Sequence, residues 1–396
     1  MSDKDPIVIA GMARTPIGDF QGGLSASSAP ELGAVAIKAA LERADVPAGD
    51  VDEVIMGCVL PAGLGQAPAR QAAIQAGIPV DVAAMTINKM CGSGMKAAML
   101  GNDLIEVGTD DIVVAGGFES MSNAPYLMQK VRRGLRMGHG EMKDHMFLDG
   151  LEDAYEPGRL MGTYADETAQ DYQFSRDDQD AYAIESLSRA RKATEEGWFD
   201  DEITPVAVKT REGVNTVTRD EHPFSVDPDN IPRLRPAFAT DGTVTAANSS
   251  AISDAAAALV LMRESEAERR GITPLARIVG HATDSREPKR FTTAPVGAIE
   301  GLLDRIGWST DAADLYEVNE AFAVVTMVAM RDLGLDHEKV NVHGGACALG
   351  HPLGATGARI MVTLLGAIER ADVKRGIAGL CIGGGEATAV AVERLG

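Results

Sequence analysis

Three short segments occur twice along this chain in the same order, and this repeat constrains the fold more than any other feature of the sequence. The first set is "VDEVIMGCV" at Val51, "INKMCGSGMKAA" at Ile87 and "DDIVVAGGFESMS" at Asp110. The second set, near the C-terminus, is "ADLYEVNEAFA", "VNVHGGACALGHPLGATGARI" and "GIAGLCIGGGEATA". Such a repeat predicts two structurally related halves.

The local patterns within these halves predict alternating strands and helices. Three short apolar runs that stop at glycine are typical of buried strands: Ile7–Ala10, Val54–Met56 and Asp111–Ala115. Apolar residues at helical spacing predict a helix over Glu31–Ala44. Between about residues 122 and 250 the charges, prolines and methionines increase. We interpret that stretch as an insertion into an α/β fold, with one clear helix from Asp177 to Glu196 capped by Ser175.

Charge and cysteine content argue against several classes of protein. The formal net charge of −21 repels nucleic acid and anionic membranes at long range. No apolar run reaches about 18 residues, the length of a membrane-spanning helix. Four cysteines among 396 residues are no disulfide framework, and the charged start at Met1–Pro6 lacks an apolar signal segment. We expect a soluble, reduced, cytoplasmic protein that binds neither nucleic acid nor membranes.

The first candidate for chemistry is Cys91, which precedes Gly92-Ser93-Gly94 and a helical pattern. The dipole and free N–H groups of a helix N-terminus favour the thiolate form of a nearby cysteine. The alternative is a buried, unreactive cysteine. The glycines favour the first interpretation because they leave space for a substrate.

A second candidate is His351, which lies between Gly350 and Pro352, where no regular helix continues. His343, Cys347 and His351 are four residues apart, a spacing that suggests metal ligands on a helix. The neighbouring glycines and proline argue against that helix, and we expect no metal site. The alternative for His351 is an ordinary exposed loop histidine.

The third candidate is Cys381, which follows the apolar run Ile377–Leu380 and precedes Gly383-Gly384-Gly385. A strand that ends there delivers the thiol into a glycine-lined turn. The alternative is a core cysteine.

Together these motifs resemble those of the thiolase family. "CGSGM", "VNEAF", "GHPLGATGAR" and "CIGGG" stand in the family's order and at about its distances, and the resemblance runs from "ARTPIG" at Ala13 to the last residues. "GGFESMSNAPY" and "GTVTAAN" belong to it as well. Within the family the chain is most similar to the acetyl-CoA acetyltransferases, also called acetoacetyl-CoA thiolases.

The resemblance implies a fold of two similar βαβαβαββ halves in five layers, α-β-α-β-α, with a large loop-domain insertion. The implied boundaries are 1–121 plus 252–273 for the N-terminal half, 122–251 for the loop domain and 274–396 for the C-terminal half. The loop domain would bind CoA and, through its methionine-rich stretch Met128–Met146, form a homotetramer. The alternative for that stretch is an ordinary surface loop.

The resemblance also implies that the protein is an acyltransferase of fatty acid metabolism. Two acetyl-CoA molecules condense to acetoacetyl-CoA by a ping-pong Claisen reaction, and the reverse reaction is thiolysis. CoA, acetyl-CoA and acyl-CoA are then substrates, with no cofactor or metal. A degradative 3-ketoacyl-CoA thiolase of fatty-acid β-oxidation, with a broader range of chain lengths, is the alternative.

The family's catalytic roles map onto five residues of this chain. Cys91 would carry the acyl group, and His351 would activate it and donate into an oxyanion hole. Cys381 would transfer the proton of the α carbon. Asn319 of "VNEAF" would hold a water that helps to stabilise the enolate. The backbone amides of Cys91 and Gly383 would form a second oxyanion hole.

The family's CoA pocket maps onto seven positions: Met161, Leu234, Phe238, Ser250, Phe291, Ala321 and Phe322. Two departures stand out. Leu160 replaces the histidine that acetoacetyl-CoA thiolases usually carry, which puts a strict four-carbon preference in doubt. The arginine that often follows "DE" and meets the CoA nucleotide is missing from "DEHPFSVDP". The candidate substitutes are Arg233, Arg235 and the basic segment near Lys130, of this subunit or of a neighbouring one.

Two kinds of rival remain. A ketoacyl-ACP synthase or a 3-hydroxy-3-methylglutaryl-CoA synthase shares the nucleophilic cysteine but has another residue in place of Cys381. A non-catalytic CoA-binding or scaffold protein of the same fold is the second rival. The joint presence of Cys91, Asn319, His351 and Cys381 argues against it.

Overall fold

The computed structural model describes residues 5–211 and 213–395. Of the charged N-terminal start, Met1–Lys4 lie outside the described residues. The strands are β1 (Ile7–Arg14), β2 (Gly18–Asp19), β3 (Glu53–Gly57), β4 (Ala83–Ile87), β5 (Ile112–Ser120), β6 (Tyr126–Leu127), β7 (Lys143–Asp144), β8 (Val206–Thr210), β9 (Gly213–Val217), β10 (Ser253–Arg263), β11 (Ala276–Ser285), β12 (Leu315–Val318), β13 (Arg375–Ile382) and β14 (Glu386–Arg394). The helices are α1 (Ala29–Arg43), α2 (Pro68–Gln75), α3 (Ser93–Val107), α4 (Met161–Asp171), α5 (Arg176–Glu195), α6 (His222–Ser225), α7 (Glu264–Arg270), α8 (Ala294–Ile306), α9 (Ala323–Leu333), α10 (Ala346–Leu349) and α11 (Leu353–Ala371).

Ten strands form one continuous sheet of two parts, called here the first and the second sheet, with helices between and outside them, and β6–β7 and β8–β9 form two separate two-stranded sheets. The strand order is β4-β3-β5-β10-β1 in the first sheet and β12-β13-β14-β11 in the second, and a short antiparallel contact between β1 and β11 joins them. Helices α1 and α2 cover the outer face of the first sheet, and α8 covers the outer face of the second. Helices α3 and α11 lie between the sheets. The predicted α-β-α-β-α layering is confirmed.

The central helices α3 and α11 pack with their backbones in close approach. A Cβ atom at Gly94 would lie 2.8 Å from the nitrogen of Ala358, and one at Gly357 would lie 2.3 Å from the nitrogen of Met95. Only glycine fits at such distances. The N-terminal ends of the two helices therefore lie side by side, and these ends follow Cys91 and His351.

The second half departs from the predicted repeat at its third strand. The expected strand is reduced to a single parallel bridge between Tyr316 and Val340. The chain turns away directly afterwards, because Asn341 has a φ of 48° and Gly344 a φ of 78°. The segment then continues as the loop that carries His351.

Two predicted strand ends are wrong. The run Ile7–Ala10 does not stop at Gly11, because β1 continues through this glycine to Arg14. The apolar run at Asp111–Ala115 does not stop at Gly116-Gly117, because β5 continues through both glycines to Ser120. A Cβ at Gly117 would lie 1.9 Å from the carbonyl oxygen of Gly354. A Cβ at Gly116 would lie 2.1 Å from the carbonyl oxygen of Ala257 in β10. Gly117 is therefore required for the contact of β5 with the start of α11 and Gly116 for its contact with β10, and neither acts as a strand breaker.

The insertion contains α4 and α5 and packs on both halves. Helix α5 begins after Ser175, which forms a capping box with Asp178. The predicted cap at Ser175 is therefore confirmed. A buried ion network anchors the segment to β1, since Arg14 bonds to Glu202 and to Asp220, each at 2.8 Å. The domain boundaries at residues 121, 251 and 273 stay a prediction.

None of the helices in the described ranges combines the length and apolar character that a membrane span requires.

Candidate active site

Cys91 lies immediately before the N-terminal end of α3, as predicted. Gly92 is the N-cap residue of that helix, and the preceding Met90 has a φ of 48°. A Cβ at Gly92 would lie 2.4 Å from the Cδ1 atom of Ile382. Gly92 therefore allows the cysteine turn to contact the end of β13, which carries the second thiol.

The electrostatics at Cys91 correct the expectation of a stabilised thiolate. Burial of the sulfur raises the pKa of the Cys91 thiol to about 11, although the amides of Gly383 and of Cys91 itself donate to the sulfur and lower it. The nearby Glu119 carboxylate raises the pKa further. Desolvation thus outweighs the helix terminus, and Cys91 needs a base to become a nucleophile.

His351 is buried and its hydrogen bonds define which ring nitrogen is free. Its Nδ1 lies 2.7 Å from the hydroxyl oxygen of Thr356, and that hydroxyl donates its proton to the carbonyl of Pro352 at 2.9 Å. The Thr356 oxygen must then accept a hydrogen bond from Nδ1–H. The other nitrogen, Nε2, carries the lone pair, and it is buried with no partner among the described residues.

Burial, with the Arg359 guanidinium adding to it, lowers the pKa of His351 to about 3. The imidazole is therefore neutral near pH 7. A neutral ring with a free Nε2 lone pair can accept a proton, which is the property that the Cys91 thiol requires.

Cys381 lies at the end of β13 and is fully buried. Burial and the neighbouring Cys91 raise the pKa of the Cys381 thiol well above its usual value. Cys381 is therefore a neutral thiol at rest. After it the chain turns through Gly383, Gly384 and Gly385 into β14, and the last two glycines have φ values of 96° and 92°.

Asn319 follows β12 and lies beside the strand that carries Cys381, since its amide donates to the carbonyl of Gly379 at 3.0 Å. Its side-chain Oδ1 and Nδ2 atoms are buried and have no partner among the described residues. Buried polar atoms of native proteins normally have partners. These two atoms are therefore available to a substrate or a bound water.

An apolar cavity of about 610 Å³ leads towards these residues. Among its lining side chains are Phe147, Leu151, Leu160, Met161, Phe238, Ser250, Ile252 and Phe322. Two contacts join the cavity to the catalytic candidates. The carbonyl of Ala251, also in the lining, accepts the His351 amide at 2.9 Å, and the Cε of Met161 lies 3.7 Å from a Cβ built on Gly383.

Of the seven predicted pocket positions, four line this cavity: Met161, Phe238, Ser250 and Phe322. The other three do not. Phe291 and Ala321 are buried behind the wall, where Phe291 packs edge-on against Phe322 and the carbonyl of Ala321 accepts the Ser250 amide. Leu234 is exposed and lies outside the lining.

Three residues around the site were missed from the sequence. Thr356 fixes the His351 tautomer, Glu119 bonds to the loops around Cys91, and Arg219 lies in a recess beside the cavity. Glu119 carried a usable signal, since it is a carboxylate at the end of an otherwise apolar strand pattern. The signal for Thr356 and Arg219 is spatial, because each acts through a neighbour that only the fold defines.

The recess has a volume of about 460 Å³ and shares Asp19 and Ser225 with the apolar cavity. Arg219 lies with its guanidinium carbon 4.5 Å from the ring centre of Phe224. The carboxylates here are already engaged, Asp19 by His222 at 2.8 Å and Glu221 by the backbone amides of Asp19 and Gly23. Arg219 has no carboxylate partner among the described residues.

The residues at 5–211 and 213–395 contain no group of three or more potential metal ligands. His343 and His351 lie outside the short helix α10 that contains Cys347.

Comparison with known families gives two adjoining matches. The model described as "Thiolase, N-terminal domain" matches residues 7–265, and "Thiolase, C-terminal domain" matches residues 272–394. Among curated proteins, acetyl-CoA acetyltransferase of Rhizobium meliloti is 50% identical over 390 residues, covering 98% of this chain and 99% of its own. The acetyl-CoA acetyltransferase of Shinella zoogloeoides is 49% identical over 391 residues, with the same coverage.

Solved structures give the same result. Acat5 thiolase from Ascaris suum in complex with coenzyme A has a TM-score of 0.93 and 43% identity, covering 98% of this chain and 100% of its own. The Bacillus anthracis acetyl-CoA acetyltransferase has a TM-score of 0.96 and 41% identity, with 99% of each chain covered.

Proposed function

Since this chain belongs to the thiolase family, we propose that it is an acetyl-CoA C-acetyltransferase that condenses two acetyl-CoA molecules to acetoacetyl-CoA and catalyses the reverse thiolysis. The observation that carries the proposal is the pairing of two thiols, the half-buried Cys91 and the buried Cys381, in one site with a neutral histidine. CoA is a substrate, and the chemistry below requires no cofactor or metal.

The first half of thiolysis begins at Cys91. Nε2 of His351 accepts the Cys91 proton as the sulfur attacks the keto carbon of the 3-ketoacyl-CoA. The bond between the keto carbon and the α carbon breaks, and its electron pair passes to the acetyl-CoA enolate. The neutral thiol of Cys381 gives its proton to the α carbon, which releases acetyl-CoA and leaves a thiolate at Cys381 and an acyl thioester at Cys91.

The second half returns every proton. CoA gives its thiol proton to the Cys381 thiolate, and the CoA sulfur attacks the acyl group on Cys91. Cys91 leaves as a thiolate and takes its proton back from His351. Condensation is the same sequence in reverse, so Cys381 must act both as an acid and as a base. The raised pKa of its thiol supports the acid role, because the thiol holds a proton at rest.

Two sets of donors are proposed to stabilise the oxyanions. The amides of Cys91 and Gly383 already donate towards the Cys91 sulfur, where the oxygen of a tetrahedral intermediate forms. Asn319, through a bound water, and the protonated His351 would stabilise the enolate. Loss of one such donor typically costs about 10²–10³ in rate.

The apolar cavity fits the pantetheine arm of CoA, a mobile chain with few polar groups. Its wall includes Leu160, the N-cap residue of α4. An apolar side chain here tolerates the hydrocarbon of a longer substrate better than an imidazole does. The position of Leu160 in the cavity wall supports the alternative of a 3-ketoacyl-CoA thiolase with a broader range of chain lengths, acting in fatty-acid β-oxidation.

The test of function is thiolysis of 3-ketoacyl-CoAs from four carbons to long chains. We expect cleavage of acetoacetyl-CoA, and a change in kcat/KM of no more than about fifteenfold between four and six carbons, since each of the two added CH₂ groups is worth about 0.8 kcal/mol when buried. Leu160→His should narrow the range towards four carbons, and Leu160→Met should not. No CoA-dependent cleavage of any substrate would reject the function, while a steep fall beyond four carbons in the unmodified protein would reject the alternative.

For the CoA nucleotide we propose the recess beside the cavity. The Arg219 guanidinium, stacked on Phe224, offers both charge for phosphate and a planar face for adenine. We propose Arg219 in preference to the candidates Arg233, Arg235 and the basic segment near Lys130.

Arg219→Ala should raise the KM for acetyl-CoA about tenfold or more, the size of a lost charge-assisted hydrogen bond, with kcat unchanged. The KM for acetyl-pantetheine, which lacks the nucleotide, should not change. The matched control is Arg233→Ala, whose guanidinium is outside the recess. A KM increase for Arg233→Ala with none for Arg219→Ala would reverse the assignment.

The proposal also covers the oligomeric state of the protein and its cellular compartment. Several apolar side chains between residues 126 and 142 are exposed, and Met137 is 98% exposed. Such exposure supports a homo-oligomeric contact, for which we propose the tetramer. The cytoplasm is the proposed compartment.

A further inference from the structure

Glu119 is a buried carboxylate next to the site that the mechanism above does not use. It lies at the end of β5 and its side chain is fully buried. No Lys, Arg or His in the described parts of the chain bonds to it. A buried charge without a cation costs several kcal/mol unless hydrogen bonds compensate. Burial accordingly raises the pKa of Glu119 to about 7.

The compensating donors come from both halves of the protein. Oε2 accepts the amides of Val59 at 2.9 Å and of Gly354 at 2.8 Å, and Oε1 accepts the amide of Leu60 at 3.1 Å. The thiol of Cys58 lies 3.6 Å from Oε1. The carboxylate therefore joins the loop after β3 to the first turn of α11.

Each of these donors belongs to a wall of the Cys91 site. Gly354 lies three residues after His351, so its position determines where the imidazole is presented. Val59, Leu60 and Leu353 form a small apolar cluster against which Cys91 packs. No other described carboxylate bonds both to the first turn of α11, which follows His351, and to the Val59–Leu60 loop against which Cys91 packs.

The negative charge of Glu119 also acts on the Cys91 thiol. Among the carboxylates, Glu119 is the one that raises the pKa of Cys91. The titratable groups that face Glu119 are Cys58, on the loop after β3, and Cys91, on the turn before α3. Its other partners are backbone amides. An anion here opposes a free Cys91 thiolate and so makes ionisation depend on transfer of the proton to His351.

We propose that Glu119 is a positioning residue for acyl transfer, whose carboxylate holds the first turn of α11, directly after His351, against the Val59–Leu60 loop and places a negative charge near Cys91. This inference rests on the proposed function only for its kinetic part. Its effect on Cys91 can be measured without turnover.

The test compares Glu119→Gln, which keeps the size and removes the charge, with Glu119→Asp, which keeps the charge and shortens its reach. In Glu119→Gln the rate of Cys91 alkylation by iodoacetamide at pH 8 should rise about three- to tenfold, since an anion next to the thiolate is lost. The kcat for thiolysis should fall about 10–10²-fold, with little change in KM. In Glu119→Asp the alkylation rate should stay near that of the unmodified protein, while kcat falls.

Glu202→Gln is the matched control, since Glu202 is also fully buried but bonds to Arg14. Its alkylation rate should not change. Unchanged alkylation and kcat in Glu119→Gln would overturn the proposal, as would a kcat loss with unchanged alkylation, which marks a purely structural role. If Glu119→Gln does not fold, Glu119→Asp decides, because an unchanged kcat there overturns the positioning role. Absence of thiolysis in the unmodified protein rejects the proposed function and leaves the alkylation comparison valid.

Discussion

Replacing Cys91 with alanine is expected to lower both thiolysis and condensation by about 10⁴–10⁶-fold, the scale on which the loss of a covalent nucleophile acts. Both half-reactions pass through the same acyl thioester, and in the proposed mechanism Cys91 is the thiol that His351 deprotonates. The small residual rate reflects the remaining oxyanion donors and substrate binding.

The measurement is the intact mass of the protein after incubation with acetyl-CoA. The unmodified protein should gain one acetyl group at Cys91, and Cys91→Ala should gain none. Cys347→Ala is the matched control, because Cys347 is also a free thiol but is buried and contacts the Glu320 carbonyl. An acetylated Cys91→Ala protein, with the group on another residue, would show that the nucleophile is assigned wrongly.

The layered fold could be predicted because its signals are local and repeated. Alternation of short apolar runs and helical patterns, read twice along the chain, gave the α/β layers. Gly116 and Gly117 were misread as strand breakers, because a glycine needed for close packing looks the same in sequence as one that ends a strand. The distinction depends on Ala257 for Gly116 and on Gly354 for Gly117, both more than a hundred residues away.

The places of the candidate residues in the fold could be predicted from the sequence but their electrostatics could not, and their catalytic roles stay a prediction. Cys91 at a helix terminus indicated a stabilised thiolate, yet burial and Glu119 raise the pKa of its thiol. Desolvation is a property of the assembled fold, and the sequence around Cys91 contains no measure of it. The same limit explains why Thr356 was not recognised as the residue that orients His351.

The pocket was the least predictable part. Met161, Phe238, Ser250 and Phe322 were placed correctly on the cavity wall, but Phe291 and Ala321 lie one layer behind it and Leu234 is exposed. A sequence motif indicates that a residue lies near the site. The direction in which its side chain points depends on how it packs in the fold. For Phe291 that packing is against Phe322 and Tyr164.

Replacing Cys381 with serine is expected to separate the two half-reactions. Acetyl transfer from acetyl-CoA to Cys91 should continue, because CoA leaves as a thiolate, and thiolates with a pKa near about 8.5 need little help from an acid. Condensation should fall by about 10⁴-fold or more. A serine hydroxyl is a far weaker acid than a thiol, so it cannot become the base that removes a proton from carbon.

Three readouts on the same variant test this division. Cys381→Ser should be acetylated by acetyl-CoA, should exchange labelled CoA with acetyl-CoA, and should not incorporate solvent deuterium into the acetyl methyl group. The last readout follows the α-carbon proton directly and distinguishes loss of the base from loss of binding.

Acetoacetyl-CoA synthesis by Cys381→Ser at the rate of the unmodified protein would remove Cys381 from the proton-transfer role. Loss of acetylation and exchange as well would instead show that the variant has disturbed the Cys91 site itself, where Gly92 contacts Ile382, the residue after Cys381. Because these outcomes differ in which step stops, the variant tests the feature that most separates this chain from enzymes with one catalytic thiol.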